Sequence, residues 1–143
     1  MKFFIASPWR NTDAVKDLTV ALSDMGHTAY SFLDNGANRL SGAPALEESE
    51  EETSKDVTDW ENNPVVKQIF DFDMRVLKES DAVILLEPSG RSSLAEAGIA
   101  YGMGKKIILI GIVAHPELVV YCICEKRYPS VKEFLAGLDN PAA

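Results

Sequence analysis

The fold is decided in "LLEPSGRSSLAEAGIAYGMGKKIILIG", Leu85–Gly111. An apolar run from Val83 to Leu86 ends in Pro88-Ser89-Gly90, a turn signal. A segment of helical character follows, Ser93–Met103, and then a second apolar run from Ile107 to Ile110. Two unbroken apolar runs joined through a helix read as neighbouring parallel strands with both faces covered. Inside this unit, Glu96 falls just past the end of the first strand, in what the spacing makes the opening turn of the helix.

The same alternation extends in both directions. Lys2–Ser7 is a short apolar strand, and Asp13–Met25 places Val15, Leu18, Ala21, Leu22 and Met25 at helical spacing with Gly26 as its stop. Thr28–Leu33 reads as a second strand. The polar, acidic stretch from Asp34 to Asn62 reads as an insertion holding one short helix. Asn63-Pro64 gives a cap and a proline at the first helical position, opening a helix to about Glu79. Asp81–Glu87 is the third strand, Lys105–Gly111 the fourth and Val119–Cys124 the fifth. A last helix begins at Pro129-Ser130, where Ser130 and Glu133 have capping-box spacing, and runs through Leu138. The expected architecture is one doubly wound α/β domain over residues 1–143, a flavodoxin-like five-stranded parallel sheet in the order 2-1-3-4-5.

Composition bounds the function. With 143 residues, 46% of them hydrophobic, the chain has the material for one core. No window reaches the run of about 18 apolar residues that a membrane span needs, and Phe3-Phe4-Ile5-Ala6 is too short for a signal-peptide core. A net charge of −8 argues against a binder of nucleic acid polymers. Most of that charge sits between Glu47 and Glu61, where eight carboxylates face Lys55 alone; such a run is a solvated surface. Cys122 and Cys124 stand one residue apart in the expected fifth strand, awkward for a disulfide, and read as reduced core thiols of a cytoplasmic protein.

In an open α/β sheet, ligands bind beyond the carboxyl ends of the strands where the order reverses, here between strands one and three. The loops that meet there are Ser7-Pro8-Trp9-Arg10-Asn11 and Glu87-Pro88-Ser89-Gly90-Arg91-Ser92-Ser93. No G-x-G-x-x-G follows strand one. Gly90-Arg91-Ser92-Ser93-Leu94 lacks the last glycine of a hydrolase elbow. His27 and His115 are misplaced for a triad and form no metal-ligand cluster. What remains is a pair of carboxylates.

Glu96 has two readings. Ser93-Leu94-Ala95-Glu96 fits a capping box, with Ser93 at the cap and Glu96 at the third helical position. Alternatively, a carboxylate kept ionised by a helix amino terminus is a ready nucleophile. The second carboxylate comes from the helix before strand three. Asp71 stands four residues from both Lys67 and Arg75, a solvated salt-bridging pattern. Asp73 falls in or beside the apolar stripe of Ile69, Val76 and Leu77, where desolvation raises a carboxyl's pKa and favours an acid–base role.

"DFDMRVLKESDAVILLEPSGRSSLAEAGIAYGMGKKIILI", Asp71–Ile110, together with "MKFFIASPWRN" at the start, resembles the nucleoside 2-deoxyribosyltransferase family, whose superfamily includes the 2'-deoxynucleoside 5'-phosphate N-hydrolases. The resemblance covers about half of the chain. It implies that Glu96 attacks the anomeric carbon of a deoxyribose, forming a glycosyl ester that another base or water then releases. It also implies that Asp73 handles the leaving base's proton and that Trp9 lies beside the nucleophile. The position six before the nucleophile, often Asp in the transferases, is Gly90. Ser7, Trp9, Arg10, Ser89, Gly90, Arg91, Ser92 and Ser93 are the expected substrate-binding residues, the Gly90–Ser93 stretch suiting a phosphate or another anion. The expected partner is a small nucleoside or nucleotide, with no cofactor, metal or membrane, in a homo-oligomer. The overall similarity favours base transfer; Arg91-Ser92-Ser93 favours a monophosphate N-glycosidase; a nucleotide-binding module without catalysis is the third alternative.

Overall fold

The computed structural model describes residues 1–35 and 63–140. Most of the acidic insertion, including its expected short helix, lies outside the described residues. Five strands, β1 (Lys2–Ala6), β2 (Thr28–Tyr30), β3 (Ala82–Leu86), β4 (Lys106–Ile110) and β5 (Lys126–Tyr128), form one all-parallel sheet in the order β2-β1-β3-β4-β5. The helices are α1 (Thr12–Asp24), α2 (Pro64–Glu79), α3 (Arg91–Gly102), α4 (Leu118–Ile123) and α5 (Val131–Asp139), with short 3-10 turns at Trp9–Asn11 and Phe32–Asp34. This is the expected doubly wound order.

The apolar strand runs are continuous because both faces of the sheet are covered. On one face Phe3 and Ile5 of β1, Ile84 of β3 and Ile110 of β4 pack with Val15, Leu18 and Leu22 of α1 and Phe134 of α5. On the other, the alternate residues Phe4, Ala6, Val83, Leu85, Ile107 and Leu109 meet Leu77 of α2 and Ala97 and Ala100 of α3. Burying a side chain of this class stabilises by about 1.5–3 kcal/mol, so a one-residue slip of register would expose the wrong set and is strongly opposed. α2 and α3 therefore lie on the same side of the sheet, and that brings their carboxylates into one neighbourhood.

Local chemistry fixes the helix ends. Asn63 accepts the Val65 N–H at 2.9 Å with Pro64 at the first helical position. Ser130 accepts the Glu133 N–H at 3.3 Å. Gly26 turns the chain after α1 at φ +82°, a conformation that side chains resist.

Two strands differ from their expectation: the second ends at Tyr30, with Phe32–Asp34 in a 3-10 turn rather than extended, and the fifth lies further along the chain. Val119–Cys124 is not the fifth strand: Leu118–Ile123 is a single short helix, and β5 is the charged segment Lys126-Arg127-Tyr128 that follows. Six apolar residues carry no period long enough to separate strand from helix. β5 is an edge strand held by its backbone pairing to β4, Ile108 beside Lys126, so its side chains need not be apolar. Cys122 and Cys124 accordingly sit at the end of a helix, unlinked, the first exposed and the second buried with its thiol donating to the Val120 carbonyl.

Candidate active site

At the carboxyl ends of β1 and β3 the two expected loops lock together. The buried Ser7 hydroxyl donates to the Leu86 carbonyl at 3.1 Å and accepts from Asn11 Nδ2 at 2.8 Å. The same Asn11 amide donates to the Pro88 carbonyl at 2.9 Å, and the Arg10 guanidinium to the Ser89 carbonyl at 3.2 Å. Glu87 closes the loop on itself, its carboxylate accepting the Ser89 N–H at 2.8 Å and the Ser89 hydroxyl at 2.9 Å. Gly111, at φ +112°, passes so close to Glu87 that a Cβ there would lie 2.7 Å from the glutamate's own. Ser7, Arg10 and Ser89, expected as substrate-binding residues, thus all bond within the protein. Trp9 opens the 3-10 turn beside them, half-buried, its carbonyl accepting the Thr12 hydroxyl at 2.6 Å.

This loop delivers α3, and the helix begins earlier than its sequence suggests. Gly90 is the N-cap, in extended backbone, and the buried Ser93 is the third helical residue. The Ser93 hydroxyl accepts the Gly90 N–H at 2.7 Å and donates to the Gly90 carbonyl at 2.9 Å. Two corrections follow. Ser93 is not the cap of a Ser93–Glu96 capping box, so Glu96 does not cap the helix. Glu96 also stands in the second turn, beyond the first-turn reach of the helix amino terminus. Instead of being held ionised, its carboxyl is pushed up to about 8, chiefly by burial and then by the charge of Asp73. Arg91 and Ser92 are exposed in the first turn.

Asp73 projects from α2 on the side of β2, partly buried, and it has partners. The Tyr30 hydroxyl donates to Asp73 Oδ1 at 2.6 Å, and Asn35 Nδ2 donates to both carboxylate oxygens at 3.3 Å. Burial raises the Asp73 carboxyl, while these donors pull the other way. Tyr30 is itself pushed far up, first by burial and then by Asp73, with the charges of Asp34 and Glu96 adding to it, so it remains a phenol donor. The mutual influence of Tyr30, Asp73 and Glu96 makes them one electrostatic cluster. Of the two carboxyls, Asp73 ionises first because among the described residues it alone has donors, and Glu96 keeps the pair's last proton. Asp71 lies outside the cluster, exposed and 3.3 Å from Lys67. Arg75 stacks over the Phe72 ring at 4.6 Å rather than pairing with Asp71.

Tyr30 and Asn35 carried no signal as site residues. Tyr30 ends an apolar strand and Asn35 opens a polar segment; their partner is 43 and 38 residues away. Only the return of α2 across the edge of β2 makes the group.

No family profile matches the chain, and no curated protein matches it significantly. Solved structures do share its doubly wound fold, and they include enzymes that act on nucleosides and nucleotides. A 2-deoxyribosyltransferase from Bacillus psychrosaccharolyticus superposes with a TM-score of 0.69 at 17% identity, covering 94% of this chain and 90% of its own. A conserved protein of Enterococcus faecalis V583 gives 0.62 at 14% identity, covering 99% and 98%. A CMP N-glycosidase of Clostridium botulinum gives 0.51 at 21% identity, covering 97% and 99%. Among the described residues no helix is long and apolar enough to cross a membrane.

Proposed function

We propose that the chain is an enzyme that cleaves the N-glycosidic bond of 2'-deoxynucleosides and transfers the sugar to another base. The observation that carries this reading is the carboxyl pair itself: Glu96 from α3 and Asp73 from α2, both raised by burial, electrostatically coupled and unequal in their hydrogen bonding. Two carboxyls made unequal by their surroundings divide the work of nucleophile and acid–base group. The singly protonated pair rests with its proton on Glu96, and the reaction proceeds from the tautomer in which that proton has passed to Asp73 and left the charge on Glu96. A Glu96 oxygen bonds to the anomeric carbon as the carbon–nitrogen bond breaks, its electron pair leaves with the base, and the base nitrogen takes the proton from Asp73. In the second half, an incoming base attacks the ester, the bond to Glu96 breaks, and Asp73 recovers a proton. The fold shared with a 2-deoxyribosyltransferase supports this choice.

Arg91 favours a second reading, hydrolysis of a deoxynucleoside 5'-monophosphate, and the fold shared with a CMP N-glycosidase is consistent with it. Its guanidinium is exposed in the first turn of α3, where a phosphate would meet it beside the helix's free N–H groups. Initial rates with deoxynucleosides and their monophosphates, with and without a second base, test both readings. Transfer predicts a new nucleoside in proportion to added base. Hydrolysis predicts free sugar only, a preference for monophosphates, and loss of that preference in Arg91→Ala, since a charge-assisted contact contributes about 1.5–3 kcal/mol.

A further inference from the structure

Asp73 is held by a constructed support rather than by a chance neighbour. Ser31, buried, accepts the Leu33 N–H at 3.2 Å, and its own N–H donates to Asp34 Oδ2 at 3.0 Å, closing the turn Phe32–Asp34. That turn ends at Asn35, itself buried, and presents its amide to both oxygens of Asp73. Tyr30 is fixed independently, its ring 5.4 Å from Phe4 and 5.7 Å from Phe72. A carboxylate with one short hydroxyl donor and an amide bridging both oxygens has little rotational freedom left. No described cation bonds to it; the charged or titratable groups that act on the cluster are Glu96 from α3, Tyr30 from β2 and Asp34 from the turn.

We propose that Tyr30 and Asn35 are positioning residues for the glycosidic reaction: acting through Asp73, they fix the orientation of its carboxyl group and set which member of the pair releases a proton first. The inference rests on the reading of Asp73 as the acid–base group. Its chemical content is specific. Both donors favour the ionised form of Asp73, so the pair is fully protonated only at low pH, and the singly protonated form is available across a wide window. Removing either donor raises the lower of the pair's two apparent pKa values and narrows that window from its acid side. It also lets the carboxyl rotate, and misplacement of an acid–base group by even about 1 Å can cost on the order of 10²-fold in rate.

Tyr30→Phe, which keeps the ring contacts, and Asn35→Ala would each be compared with the wild type in two measurements. Carbon-detected NMR titration of the Asp73 carboxyl needs no activity, and the pH profile of kcat and KM reads the consequence. The expected result is an Asp73 titration and an acid limb both displaced to higher pH, with kcat reduced about 10–10²-fold and KM changed much less. An Asp73 titration unmoved in a folded Tyr30→Phe protein would overturn the inference, as would a KM rise at unchanged kcat. If the wild type cleaves no nucleoside, the functional reading fails, and the NMR titration alone still decides whether these residues tune Asp73.

Discussion

Glu96→Gln is expected to remove cleavage and transfer by several orders of magnitude while making the protein more stable at alkaline pH. The first effect follows from the proposed chemistry: an amide cannot form the glycosyl ester that the proposed two half-reactions require. The second follows from linkage. The Glu96 carboxyl rises from an ordinary 4.5 to about 8 in the folded chain, so the folded state holds a proton that the unfolded state has lost. Stability from this group is complete below about pH 4.5, declines as pH rises, and is lost once pH passes about 8. Glutamine keeps the shape without the charge. Above pH 8 the variant should therefore exceed the wild type by about 2–4 kcal/mol, which is several degrees in melting temperature for a domain of this size. Thermal melts at pH 5 and pH 9, beside single-turnover assays, check both parts. A helix cap would give the opposite stability result, a loss of about 1 kcal/mol at both pH values.

Asp73→Asn should reduce turnover about 10²–10⁴-fold for substrates whose leaving base needs a proton, and Asp71→Asn should leave it nearly unchanged. Both lie on α2, two residues apart, but Asp71 is exposed and paired with Lys67 across a surface bridge, an interaction of about 0–1 kcal/mol. The wild-type pH profile carries the same information. Because the reactive pair holds one proton, kcat/KM should fall as pH rises above about 8, where that last proton leaves. In Asp73→Asn the falling limb should give way to a rise with pH, since the residual reaction needs only that Glu96 lose its proton. Equal effects of the two substitutions would place the acid elsewhere.

The framework of this site was readable because burial writes itself into sequence. Phe3–Ala6, Ala82–Leu86 and Ile107–Ile110 are apolar on both faces, and that pattern gives the parallel sheet and its order. Asp73 was conspicuous as a charge at the edge of an apolar stripe. Three features were not readable, each for a physical reason. β5 is too short and too charged to look like a strand, being held by its backbone pairing to β4 and by Tyr128 against Phe134. The start of α3 is set by Gly90 and by the Glu87–Ser89 bonds behind it, whereas Ser93 looks the better cap by residue type. That three-residue shift takes Glu96 out of the helix's first turn, and burial then reverses the expected direction of its pKa. The Tyr30–Asn35 support is tertiary, assembled from residues about 40 positions away, and nothing local announces it.

The covalent route through Glu96 is tested most directly by rapid mixing with a 2'-deoxynucleoside, acid quenching over a series of times, and intact-protein mass spectrometry followed by peptide mapping. The predicted result is an adduct of one deoxyribosyl unit that forms and decays during turnover, maps to the peptide containing Glu96, and is absent from Glu96→Gln. Turnover with no adduct at any quench time, or an adduct that persists in the glutamine variant, would contradict it.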